Sequence, residues 1–148
     1  MRFSGRRELK EYGNLLTHLL SNDSSISELI QIGYSYGCLV SSSFIPPPII
    51  KSSHVFISYP LTFVPLLTLF SSYPKLNLSN LLKEGIQLLI IYGNQDEFTS
   101  QKSYDSWIEG LKKNDELKVV EIEGGNHFWN QKDQKNELLN RTDAFIDC

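Results

Sequence analysis

Apolar residues in this chain gather in four short runs, and the stretches between them carry the spacing of amphipathic helices. The runs are residues 29–32 (Leu-Ile-Gln-Ile), 54–58 around Val55-Phe56-Ile57, 86–91 (Ile-Gln-Leu-Leu-Ile-Ile) and 117–122 (Leu-Lys-Val-Val-Glu-Ile). Each is short and rich in branched aliphatics, which predicts a buried strand rather than a helix. Residues 8–20 place Leu9, Tyr12, Leu16 and Leu19 at helical spacing, so a helix precedes the first strand. A helix after the first strand must end before Pro46-Pro47-Pro48. A short helical piece is expected near residues 78–83. Thr99 or Ser100 can cap a helix whose apolar face is Tyr104, Trp107, Ile108 and Leu111. A last helix gathers Leu138, Leu139, Thr142, Phe145 and Ile146 on one face. Strands alternating with helices imply parallel pairing, hence an α/β fold with a mainly parallel sheet between two helical layers. With 148 residues and no repeat or long linker, residues 1–148 are expected to form a single domain.

The connections after three of these runs carry the candidate chemistry. Gly33-Tyr34-Ser35-Tyr36-Gly37 is a G-x-S-x-G turn between a predicted strand and a predicted helix. That context is a nucleophile elbow, a strained turn that lifts a serine hydroxyl clear of the sheet edge. Gly33 and Gly37 are expected to be glycine for steric reasons, because side chains there would collide as the helix folds back over the strand. The third run ends in Tyr92-Gly93-Asn94-Gln95-Asp96-Glu97, and the fourth in Glu123-Gly124-Gly125-Asn126-His127-Phe128-Trp129. Both polar clusters lie just past the carboxyl end of a strand, where open α/β sheets collect reacting groups. Of the three histidines, His18 lies on the first helix and reads as a surface residue. His54 reads as a strand-edge residue at the wrong end of the sheet, which leaves His127. The acid is best matched by Asp96, with Glu97, Asp105 and Glu123 as alternatives.

The order Ser, Asp, His, together with the elbow, resembles the α/β-hydrolase superfamily, and most closely its compact serine hydrolases without an inserted cap. The resemblance runs from about residue 29 to residue 148. It implies Ser35 as nucleophile, His127 as the base that takes the serine proton, and Asp96 as the group that holds the imidazole tautomer. The backbone N–H of Tyr36 would donate to the oxyanion, and the substrate would be an ester, thioester or amide. In such hydrolases the segment after the second run passes near the active site, so Leu61, Phe63, Leu66 and Leu67 are expected either to line an apolar pocket or to be ordinary core.

Bulk properties narrow the field further. A net charge of −3 without basic clusters argues against a nucleic-acid partner. Cys38 and Cys148 form no disulfide framework, and Cys38 reads as a small core residue. No residues have metal-ligand spacing, no glycine-rich phosphate loop is present, and this chemistry needs no cofactor. The apolar stretch 55–70 is too short for a membrane span and contains Pro60 and Pro65. The absence of an apolar leader leads us to expect a cytoplasmic protein, in which the sequons at Asn22, Asn77 and Asn140 carry no meaning.

The family's sheet has further strands before the elbow strand, one of whose loops supplies a second oxyanion donor. Only about thirty residues precede the elbow here, with Arg2-Phe3-Ser4-Gly5-Arg6 resembling the end of a preceding strand and turn. An amino-terminally shortened hydrolase domain is the expectation, with one oxyanion donor absent and an exposed sheet edge available for pairing. Three hypotheses follow: a working serine hydrolase, a catalytically impaired remnant that binds without turnover, and an interaction module of no enzymatic ancestry.

Overall fold

The computed structural model describes residues 5–62, 78–111 and 114–147. Within these residues four strands, β1 (Glu28–Tyr34), β2 (Lys51–Ile57), β3 (Gln87–Gly93) and β4 (Leu117–Ile122), form one sheet in the order β1-β2-β3-β4. All three neighbouring pairs are parallel. The register aligns Gly33 with Phe56 and Gln31 with His54, then Val55 with Leu89, and Tyr92 with Glu121. Among the described residues, five helices connect or flank the strands: α1 (Gly5–Asn22), α2 (Tyr36–Ser41), α3 (Leu78–Lys83), α4 (Gln101–Glu109) and α5 (Lys132–Ile146).

The two sheet faces bury separate cores, because alternate residues of a strand point to opposite sides. On one side Phe56, Leu88, Ile90 and Tyr92 pack against Cys38 and Leu39 of α2, Leu81 and Leu82 of α3, and Tyr104 and Ile108 of α4. On the other, Val55, Leu89, Ile91 and Ile122 pack against Leu138 and Phe145 of α5 and against Trp129. β2 and β3 are covered on both faces, which is why their apolar runs are nearly continuous. The result is the expected α/β sandwich of three layers. Ser100 caps α4, its hydroxyl accepting the Ser103 N–H at 3.2 Å.

Several details depart from the pattern-based expectation. β2 begins at Lys51 rather than at 54: Lys51 lies exposed on the sheet's rim, where its ammonium pairs with Glu28 at 3.0 Å. His54 is therefore mid-strand and fully buried, not a strand-edge residue. Its Nε2 accepts from the Gln31 amide at 3.0 Å, and Gln31 in turn accepts from the Tyr12 hydroxyl of α1 at 2.8 Å. Burial pushes the imidazole down to about 4. Leu19 and Leu139, placed on apolar faces by spacing, are 47 % and 50 % exposed. His18 is exposed, as expected, and Cys38 is buried, with its thiol donating to the Gly33 carbonyl at 3.1 Å and burial pushing its pKa up. Leu61 is half-buried against the α2–α4 core, whereas Phe63, Leu66, Leu67, Asn77 and Cys148 lie outside the described residues. No helix among the described residues is long and apolar enough to cross a membrane.

Candidate active site

Ser35 stands between the end of β1 and the first residue of α2. Its N–H bonds to the Ile57 carbonyl at 2.9 Å, so β2 holds the turn in place on one side. Its backbone lies at φ 49°, ψ −121°, a conformation that non-glycine residues rarely adopt. Gly33 makes this turn possible: a Cβ there would lie 2.6 Å from the Cys38 Cα and 2.7 Å from its backbone nitrogen. Only glycine lets α2 settle this close to the strand that precedes it. Gly37 differs from expectation, since a Cβ there would meet nothing within 4 Å. It is the second residue of a helix that faces open space at that point, so sterics among the described residues do not demand glycine there.

Asp96 and His127 reach the same place from β3 and β4. The loops that carry them are interlocked. A Cβ on Gly93 would fall 2.0 Å from the Gly125 carbonyl oxygen, so the two chains touch through bare backbone. The Gln95 N–H donates to the Gly125 carbonyl at 3.0 Å, and the Gly124 N–H to the Asn94 side chain at 2.9 Å. Asp96 turns back on its own loop, one carboxylate oxygen accepting the N–H groups of Phe98 at 2.8 Å and Thr99 at 3.0 Å. The other oxygen lies 2.8 Å from Nδ1 of His127. On the far side of the ring, Nε2 lies 3.0 Å from the Ser35 hydroxyl.

The geometry selects a tautomer. A buried carboxylate can only accept, so Nδ1 carries the proton toward Asp96 and Nε2 is left to accept from the serine. Asp96 is 8 % exposed and His127 5 %, which strengthens both bonds by excluding water. The His127 ring is packed edge-on by Phe98 at 4.6 Å and Phe128 at 5.3 Å between centroids. Further along, the indole N–H of Trp129 donates to the Ser58 hydroxyl at 3.1 Å, which ties the histidine loop to the end of β2. Ser35, Ser58 and Trp129 are the three non-glycine residues with left-handed backbone among the described residues, and all three lie at this edge of the sheet. Such concentration of strain is common at functional sites.

Of the alternative acids, Glu97 accepts the His127 backbone N–H at 2.8 Å. That bond, together with the one to its own backbone, holds its carboxyl below the usual range. Asp105 instead lies 3.5 Å from the Tyr92 hydroxyl, which also donates to Glu121 at 3.1 Å. Glu123 follows the last strand directly, and both imidazole nitrogens are already engaged by Asp96 and Ser35. Two residues of the site escaped the sequence reading: Ser58, a left-handed serine hidden in an apolar stretch, and Tyr34, whose hydroxyl donates to the His127 carbonyl at 2.8 Å. No group of ligating side chains able to hold a metal is found among the described residues.

Comparison of the whole architecture with solved structures supplies the frame for this site. A protein of unknown function from Agrobacterium tumefaciens, described as a candidate alpha/beta hydrolase, superposes with a TM-score of 0.70 at 20% identity, over 94% of this chain and 58% of that one. This is a partial α/β-hydrolase fold. A structure from a study of carboxylesterases of the thaumarchaeon Nitrososphaera gargenis matches the same hydrolase fold with a TM-score of 0.65 at 13% identity, covering 94% of this chain and 72% of that one. An alpha/beta hydrolase enzyme from a lagoon-sediment metagenome of Mar Chica, Morocco, gives 0.60 at 16% identity, over 95% and 71%. The chain thus spans between about half and three quarters of these hydrolase-fold proteins. No protein-family model and no curated protein matches the sequence.

Proposed function

We propose that this chain is a serine hydrolase of the α/β-hydrolase type, cleaving an ester, thioester or amide bond through an acyl-enzyme on Ser35. One observation carries the reading: the continuous hydrogen-bonded path from the Ser35 hydroxyl through both nitrogens of His127 to Asp96, with links of 3.0 and 2.8 Å. The fold by itself supports many chemistries, so the claim rests on the site.

In this mechanism the Ser35 oxygen attacks the substrate carbonyl carbon while its proton passes to Nε2 of His127. Asp96 stabilises the imidazolium that forms and keeps the ring from turning. The carbonyl oxygen becomes an oxyanion beside the turn, where the backbone N–H of Tyr36, the residue after the nucleophile, would donate to it. Collapse of the tetrahedral species breaks the bond to the leaving group, which takes the proton from Nε2. Water then attacks the acyl-serine, giving its proton to Nε2, and the acid leaves as the serine is reprotonated. Every proton in this sequence moves between serine, histidine, water and substrate. Hydrolysis of a p-nitrophenyl acyl ester by the purified chain, set beside Ser35→Ala, tests it: turnover lost in the variant supports the reading, and turnover equal in both refutes it.

A second reading, a catalytically impaired remnant that acts as a binding module, is favoured by the surroundings of the serine strand. Among the described residues β1 is an edge strand, and Ile32 and Tyr34 on it are 52 % and 44 % exposed. An open apolar edge of this kind suits pairing with further strands or a partner chain. A folded protein that binds an acyl ester without cleaving it would favour this alternative.

A further inference from the structure

We propose that Tyr34 and Glu97 are positioning residues that clamp the two backbone groups of His127, and so hold its ring between Ser35 and Asp96. The proposal rests on the hydrolase reading of the site. The residue before the serine and the residue after the acid both reach the histidine, and each takes a different backbone group. The Tyr34 hydroxyl donates to the His127 carbonyl at 2.8 Å. The Glu97 carboxylate accepts the His127 N–H at 2.8 Å. A carboxylate can only accept and a phenol at neutral pH can donate, so each side chain suits the backbone group it meets.

The topology explains why a clamp is needed. β4 and β1 are opposite edges of the sheet, so the loop after β4 must cross the ends of β3 and β2 before His127 reaches Ser35. Its first part is fixed to the acid loop by the Gly124–Asn94 and Gln95–Gly125 bonds. Beyond the histidine, Trp129 anchors on Ser58. His127 stands between these anchors, and its ring must satisfy a 3.0 Å contact on one side and a 2.8 Å contact on the other. Glu97 fixes it relative to the acid and Tyr34 relative to the serine. Because each clamp residue adjoins a member of the proposed triad, the two bonds join all three loops at His127. The two side chains are themselves exposed, so a role in burying core is not what keeps them in place.

The test compares fluorophosphonate labelling rates of the wild-type chain, E97A, E97Q, Y34F and Y34F/E97A, with thermal melts to confirm folding. A misplacement of about 1 Å at a reacting group costs about 100-fold in rate, so loss of one clamp bond is expected to slow labelling about 10-fold and loss of both about 100-fold. E97Q retains an acceptor oxygen and should stay within about 3-fold of wild type. Amide hydrogen exchange at His127 should quicken in E97A and not in E97Q, a change that a general loss of stability would not confine to one amide. Should E97A fail to fold, E97D takes its place, keeping the charge on a shorter arm. If the wild type labels and both E97A and Y34F label as fast as it does, the clamp is overturned while the hydrolase reading stands. If E97Q is as slow as E97A, the acceptor bond is not the cause and the role of Glu97 is overturned. If the wild type does not label at all, the hydrolase reading fails and the positioning role with it.

Discussion

His54 and His127 are both buried in the same sheet architecture, at 0 % and 5 % exposure, yet their surroundings differ completely. His54 sits mid-strand in β2, facing the α1 and α2 side. One ring nitrogen meets Gln31, and Nδ1 has no hydrogen-bond partner among the described residues. Burial alone drives its pKa down. His127 stands on a loop at the carboxyl edge, with a carboxylate on one nitrogen, a serine hydroxyl on the other, and both backbone groups held by side chains. Burial is common to both. What distinguishes a candidate base from a packed core histidine is the full use of its two nitrogens.

The sharpest way to break this comparison is to exchange reactivities. His127→Ala should lower the rate of serine labelling by about 1,000-fold or more, whereas His54→Gln should leave it within about 3-fold. Asp96→Asn comes next. An amide can donate to Nδ1 and so invert the tautomer, and a loss of about 1,000- to 10,000-fold is expected by analogy with other triads.

Smaller effects test the elbow and the buried network. Gly33→Ala drives a Cβ into the backbone of Cys38, and chemical denaturation should show a loss of about 3 kcal/mol. Gly37→Ala meets no such obstacle and lies in a helix, so stability should be unchanged or rise by about 0.5–1 kcal/mol. A cost as large as that at Gly33 would contradict the open space seen there.

The pH dependence of stability separates the two histidines in another way. His54 falls from 6.5 to about 4 on folding. Between those values the unfolded chain binds a proton that the folded chain refuses. The stabilisation is therefore complete above pH 6.5 and is lost as pH falls toward 4, by up to about 3 kcal/mol. His54→Gln should flatten the slope between pH 6.5 and 5, where the effect is largest relative to the carboxylates. An unchanged slope would assign it to another group.

Much of this molecule can be read from local pattern. The four strands were legible because β2 and β3 are covered on both faces and must be apolar throughout. The serine turn was legible because its strain needs Gly33. Misreadings occurred where tertiary packing overrides local pattern. His54 follows the polar Lys51-Ser52-Ser53 and so reads as a strand-edge residue, but Gln31, itself bonded to Tyr12, supplies the polar partner that lets it sit buried in mid-strand. Leu19 and Leu139 fit a helical stripe whose face meets too little of the sheet to bury them. The links from Tyr34 and Glu97 to His127 join residues 93 and 30 positions apart, and no spacing rule reaches that far.

The central claim is that Ser35, His127 and Asp96 act as one unit, and intact-mass analysis after fluorophosphonate treatment tests it most directly. A single adduct on Ser35 in the wild type and in His54→Gln, absent in Ser35→Ala and His127→Ala, is the predicted result. A folded wild-type chain that takes no adduct, or one that still takes it without His127, would contradict the account.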